Sequence, residues 1–175
     1  MTEAANAGNA AIPPKGAVLA GRGKSAEMLS ALKTGDIVTL QFDQKGIARA
    51  RWGVGGGPAL VTHGKALTVA EMEQRRMKKG FPQALNPRTA IGWSKEKLYL
   101  VVVDGRSKES VGINCPELAE FMLTLGCTEA LNLDGGGSTE MWVDGEGIVN
   151  TSSDKDKQGK SVERPVGEAI LIFGR

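Results

Sequence analysis

Ala130-Leu131-Asn132-Leu133-Asp134-Gly135-Gly136-Gly137-Ser138-Thr139 changes character halfway along, from five alternating residues to three glycines and two hydroxyls. In the first half the alternation reads as a strand, with apolar side chains on one face while Asn132 and Asp134 share the other. In the second half the glycines permit positive φ and the close approach of a ligand. Their bare N–H groups can form a concavity for an anionic oxygen, phosphate above all. A plain glycine-rich turn between two strands is the competing reading. The amide, carboxylate and hydroxyls beside the glycines argue for a site.

Working outward, residues 98–103 read as a strand and Pro116 suits the first turn of a helix that stops at Gly126. A strand, a crossover helix and a second strand make a unit whose strands run parallel, which puts Asp104 and Asp134 at like ends. Ligands of open α/β sheets bind beyond those carboxyl ends. Were the strands adjacent, their axes would lie about 5 Å apart, and an intervening strand would double that. Residues 88–93 form a hairpin with 98–103 across Ser94-Lys95-Glu96-Lys97. A strand at 59–61 turns at His63-Gly64. Thr68-Val69-Ala70-Glu71 is a capping box opening a helix over 69–79 with Gly80 as its stop. A helix over 25–33 and strands over 36–42, 47–54, 140–143, 148–149 and 166–173 complete the expectation. The fold class is α+β: a strand-rich mixed sheet with two to three helices and one strand–helix–strand unit. Residues 1–16 read as a flexible tail or linker, and 17–175 as the domain.

A chain of 175 residues is one domain with enough length to bury a core. Its 22 basic and 20 acidic residues nearly balance, without a basic stripe, which excludes a nucleic-acid partner. No apolar run is long enough to span a bilayer, and no charged-then-apolar leader is present. The opening Met1-Thr2-Glu3-Ala4-Ala5-Asn6 reads as a start within a longer protein, so the missing leader says little about compartment. Cys115 and Cys127 bracket a helix of about three turns. They stand too far apart for a disulfide, whose Cα atoms approach within about 7 Å, and read as free structural thiols.

Other constellations carry chemistry. Val103-Asp104-Gly105-Arg106 joins a carboxylate to a guanidinium, whose planar fork suits phosphate; the plain alternative is a turn with a surface ion pair. Asn86-Pro87-Arg88-Thr89-Ala90 sets a second arginine and a hydroxyl at the start of a strand. Residues 150–165, with Asp154 and Glu163-Arg164-Pro165, are too long and polar for a mere connection. His63 is the only histidine and most simply forms a hairpin tip, which leaves a Ser-His-Asp hydrolase without support. Neither a G-x-S-x-G elbow nor a Walker loop is present. Trp52, Trp93 and Trp142 read as core or rim residues, with stacking on a sugar ring as the functional alternative.

Taken in order, these motifs resemble the phosphodiester glycosidase family. The resemblance rests on Gly55-Gly56-Gly57-Pro58, Asn86-Pro87-Arg88-Thr89-Ala90-Ile91-Gly92, Val101-Val102-Val103-Asp104-Gly105-Arg106, Pro116-Glu117-Leu118-Ala119, Leu125-Gly126-Cys127, the 130–139 stretch and Glu163-Arg164-Pro165-Val166. It implies a hydrolase that cleaves a sugar-1-phosphodiester, N-acetylglucosamine among the sugars, between anomeric carbon and phosphate. Arg88, Arg106 and Arg164, with the amides of Gly135, Gly136 and Gly137, would bind phosphate. Asp104 and Asp134 would serve as nucleophile or base and as sugar-hydroxyl ligands, while Thr89, Asn132, Ser138 and Thr139 orient the substrate. Those phosphate ligands would lower the leaving-group energy without a cofactor, and because a phosphate leaving group needs little protonation no strong general acid is implied. A divalent cation, Ca²⁺ or Mg²⁺, on Asp104, Asn132 and Asp134 is the alternative. The resemblance also implies export or attachment to the cell envelope. The family's upstream strands carry an Asn-Gly-x-Phe-Phe-like motif that is absent here, so the chain reads as the C-terminal part of that domain. An exposed edge would then favour a homodimer. The competing class is a non-catalytic envelope module that binds glycans or anionic polymers through the same loops.

Overall fold

The computed structural model describes residues 10–41, 50, 53–74, 77–167 and 169–174. The chain divides into two compact units, Met1–Arg51 and Trp52–Arg175. In the first, helix α1 (Lys24–Ser30) forms where a helix is expected but buries none of its residues. Residues 36–41, expected as a strand, form no strand among the described residues, and Ile37 is 96 % exposed. Alternation suits a strand, but a strand also needs a neighbour to take its backbone hydrogen bonds and a surface to bury its apolar side. Phe42 and residues 47–49 and 51–52 lie outside the described residues, and residues 53–54, the end of the second expected strand, form no strand.

The second unit is built on five strands, β1 (Ala59–Thr62), β2 (Lys65–Ala66), β3 (Arg88–Trp93), β4 (Leu98–Val103) and β5 (Glu129–Asn132), in the order β2-β1-β5-β3-β4. Each neighbouring pair is antiparallel. His63 and Gly64, with φ of 51° and 72°, make the two-residue left-handed tip of the β1–β2 hairpin. The β3–β4 hairpin runs in register from Arg88↔Val103 to Trp93↔Leu98. Its tip closes as Ser94 N–H donates to Lys97 O at 2.9 Å. β4 and β5 therefore run in the same direction with β3 between them. That is the wider of the two spacings, and it sets the axes leading to Asp104 and Asp134 about 10 Å apart.

Helix α3 (Cys115–Thr124) connects β4 to β5, and a reciprocal cap starts it. Asn114 Oδ1 accepts from Glu117 N–H at 2.8 Å while the Glu117 carboxylate accepts from Asn114 N–H. Leu118, Ala119 and Met122 then meet Leu60, Val61, Ala90 and Ala130 of the sheet in one core. Cys115 and Cys127 are buried free thiols, as their spacing implies, and burial pushes the pKa of both upward. The helix lies so close to β3 that a β-carbon at Gly92 would meet the Met122 methyl and stand 2.8 Å from Cys127 Sγ. Gly92→Ala is expected to cost roughly 1–3 kcal/mol through overpacking, read as a lower urea midpoint with an unchanged slope.

Four expected elements come out shorter, shifted or absent. The Thr68 capping box forms, but helix α2 covers only Val69–Glu73. Residues 75–76 lie outside the described residues. Beyond them the chain turns back, Gly80 N–H donating to Glu73 Oε1 at 3.0 Å, so residues 77–80 are not helical. The stretch 140–149 is reduced to a small hairpin of β6 (Trp142–Val143) and β7 (Gly147–Ile148). Residues 166–173 do not form a strand at the described positions, and Phe173 is 83 % exposed, with no strand among the described residues pairing with this segment. Trp93 and Trp142 are exposed rather than core residues. Among the described residues no helix is long and apolar enough to cross a membrane.

Candidate active site

The antiparallel register brings the start of β3, the segment after β4 and the end of β5 to one edge of the sheet. A cavity of about 450 Å³ opens there, walled by Arg88, Arg106, Asp134, Gly135 and Gly136 together with Gly55, Gly56, Gly57, Met77 and Phe81. β5 ends at Asn132, which is 1 % exposed. Its Nδ2 donates to Gly57 O and Leu133 O, both at 2.8 Å, and its backbone bonds to Gly57 N–H and Pro58 O. The carboxamide thus sutures the Gly55-Gly56-Gly57-Pro58 loop to the sheet. Its Oδ1 is buried without a hydrogen-bond partner among the described residues. Alternation sets Asn132 and Asp134 on a polar face, yet at Asn132 that face is the buried one, with the amide protons satisfied by backbone carbonyls.

The glycine turn follows. Asp134 Oδ1 accepts from Gly135 N–H at 2.9 Å, and Gly136 N–H donates to Pro87 O at 3.0 Å. A single 3₁₀ turn, Gly136–Ser138, is closed by Thr139 N–H donating to Gly136 O at 3.1 Å. Gly136 takes φ of 67°. The turn therefore docks on the start of β3 and leaves the exposed Asp134 carboxylate at the cavity rim.

The two guanidiniums are held differently. Arg106, itself at φ of 57°, donates from Nε and Nη2 to Asn86 Oδ1 at 3.2 and 2.8 Å. Its guanidinium lies over Gly136, where a β-carbon would stand 3.1 Å from Nη1. No carboxylate pairs with it among the described residues. Asn86 is fixed in turn by a backbone bridge to Ile113. Arg88 is 2 % exposed. It donates from Nε to Ile113 O and from Nη2 to Phe81 O and Ala84 O, over the Phe81 ring at 4.5 Å. Burial lowers its pKa, the Cys115 thiol opposes that shift, and the neighbouring positive charge of Arg106 adds to it. Two like charges bordering one cavity create a field that an anion relieves.

The remaining candidates stand elsewhere. Asp104 accepts from Asn150 Nδ2 and Thr151 N–H, and Arg164 pairs with Asp154 at 2.7 Å. Thr139 is buried and accepts from Thr89 Oγ1 at 3.4 Å. Gly137, Ser138 and Asn132 do not line the cavity. The structure thus brings together Arg88, Arg106, Asp134, Gly135 and Gly136, and does not bring Asp104, Thr89, Asn132, Gly137, Ser138, Thr139 or Arg164 to the same wall. Asn86, the clamp on Arg106, goes unnoticed in the sequence although it opens the Asn86-Pro87-Arg88 string. Among the described residues no three His, Cys, Asp or Glu side chains gather as a metal site needs.

The α+β scaffold thus carries, at one end of its sheet, a glycine turn, a clamped arginine and one carboxylate, a donor set whose chemistry suits an anionic ligand. The chain belongs to the phosphodiester glycosidase family, whose model matches residues 1–173. It is 38 % identical over 88 residues to the SPbeta prophage-derived uncharacterized protein YomE of Bacillus subtilis (strain 168), an overlap of 50 % of this chain and 13 % of that one. It is 33 % identical over 95 residues to the N-acetylglucosamine-1-phosphodiester alpha-N-acetylglucosaminidase of Bos taurus, over 54 % of this chain and 18 % of the bovine one. Among solved structures it matches the catalytic domain of the zebrafish N-acetylglucosamine-1-phosphodiester alpha-N-acetylglucosaminidase, auto-inhibited by its pro-peptide. That match has 28 % identity and a TM-score of 0.48, over 59 % of this chain and 38 % of that one. The overlaps therefore span 13 % to 18 % of the length of the two curated relatives.

Proposed function

We propose that the chain hydrolyses a sugar-1-phosphodiester between the anomeric carbon and the phosphate oxygen, releasing the sugar and leaving a phosphomonoester. The observation that carries this reading is Arg106, clamped by Asn86 over Gly136 with no carboxylate paired to it among the described residues, in one cavity with Asp134. A phosphate seated there gains charge-assisted hydrogen bonds from a fork that is already oriented. As the C1–O bond breaks, negative charge grows on the departing phosphate, and a preorganised cation stabilises that charge more than it stabilises the ground state. A phosphate leaves without strong protonation, so a single carboxylate suffices at the carbon, and Asp134 serves there as nucleophile or base. Family membership supports the reading, and the bovine relative's name makes N-acetylglucosamine the sugar to try first.

The test is incubation with the methyl diester of N-acetylglucosamine-α-1-phosphate, followed by ³¹P NMR and a free-sugar assay. The expected result is equal amounts of methyl phosphate and sugar, at a rate EDTA leaves unchanged. Loss of turnover in EDTA would bring a cation into the mechanism. Saturable binding of the diester without turnover would make the cavity that of a glycan- or polyanion-binding module.

A further inference from the structure

We infer that Asp104 is a positioning residue: it pins residues 150–164 as a strap whose Asp154 braces the glycine turn under Arg106. The inference rests on the reading of the cavity given above. Asp104 follows β4 but does not line the cavity, and both of its carboxylate oxygens accept hydrogen bonds. Oδ1 accepts from Asn150 Nδ2 at 3.1 Å, and both oxygens accept from Thr151 N–H at 3.1 Å. Asn150 carries the connection onward. Its Nδ2 also donates to Thr139 O at 3.0 Å, and its Oδ1 accepts from Met141 N–H at 2.7 Å, which ties the strap to the segment leaving the turn.

At its far end the strap reaches the turn itself. The Asp154 carboxylate lies against Gly137, where any β-carbon would collide with it. Arg164 holds that carboxylate from outside through Nε and Nη2 at 2.8 and 2.7 Å. Val162 N–H donates to Asp154 O at 3.0 Å and closes the strap's base. Gly137 is thus flanked by Asp154, and Gly136 beside it by the Arg106 guanidinium. Releasing the strap frees the turn to shift beneath the arginine that would receive the phosphate. A displacement of about 1 Å at such a group is enough to cost on the order of 10²-fold in rate.

Asp104 has to supply an acceptor for this task, whereas a nucleophile or base has to supply a charge. The two roles separate by substitution. Asp104→Asn retains an Oδ1 able to accept from both Asn150 and Thr151. Asp104→Ala retains nothing. Amide hydrogen exchange over 150–164 and kcat/KM on the methyl diester are measured for both, with Asn150→Ala beside them. The expected result is rescue by asparagine: parental exchange and kcat/KM within about ten-fold, the residue of a lost charge-assisted bond. Asp104→Ala and Asn150→Ala are expected to speed exchange across the strap and to lower kcat/KM by roughly 10- to 100-fold. An Asp104→Asn protein as inactive as Asp134→Asn, with parental exchange, would overturn the inference and return Asp104 to the reacting atoms. If the parent chain binds the diester without cleaving it, only the glycosidase reading fails. Exchange and diester affinity then read the strap, and unaltered exchange in Asp104→Ala overturns the inference.

Discussion

Asp134→Asn is expected to lower kcat on the N-acetylglucosamine methyl phosphodiester by on the order of 10³-fold or more, while diester affinity stays within a few-fold. The asymmetry follows from how the side chain is held. Asp134 Oδ1 accepts from Gly135 N–H at 2.9 Å, and an asparagine Oδ1 accepts the same bond, so the glycine turn and the guanidinium over it keep their places. What the substitution removes is the negative charge and basicity at the cavity rim. An interaction used only as the anomeric carbon reacts appears in kcat, whereas one used equally in binding appears in KM. Initial rates give the first quantity, and a ³¹P titration under non-hydrolysing conditions gives the second. Parental kcat in Asp134→Asn would remove this carboxylate from the reaction. A large loss of affinity with little loss of kcat would make it a ligand of the sugar hydroxyls.

How much of this could be read from the chain depends on how local each signal is. The Thr68 capping box, Pro116 in the first turn of α3, and the His63-Gly64 and Ser94-Lys95-Glu96-Lys97 tips involve partners a few residues apart, and all are formed. Strand character at 36–41 and 166–173 depends on a neighbour that the pattern does not name, and those segments form no strand at their described positions. The same limit governs the site. That a strand–helix–strand unit sets Asp104 and Asp134 at like ends is a local reading; that β3 intervenes is a property of sheet order. Because β3 lies between them, one aspartate meets the cavity and the other meets Asn150 and Thr151. Asn132 was legible as special but not as buried, since an amide in a polar string looks the same whether it faces a ligand or two backbone carbonyls.

Arg88→Leu is expected to remove roughly 3–5 kcal/mol of stability, a large part of what a domain of this size has. In sequence Arg88 looks like a phosphate ligand, an arginine set between proline and threonine at a strand start. In the fold it is a buried cation whose Nε and Nη2 are spent on Ile113 O, Phe81 O and Ala84 O. Leucine fills part of the volume but leaves those carbonyls with weaker partners, and each buried acceptor left unpaired costs about 1–3 kcal/mol. Only Nη1 takes no part in this cage, so any share Arg88 has in holding a phosphate is secondary to holding the 81–84 segment, and Phe81 with it, in the cavity wall. Arg88→Lys keeps the charge without the planar fork that reaches three carbonyls, and is expected to recover less than half of the loss. Urea unfolding measures both variants. A residue that chiefly binds phosphate would give the opposite result, near-parental unfolding with weakened diester affinity, as expected for Arg106, whose guanidinium hydrogen-bonds only the Asn86 carboxamide among the described residues.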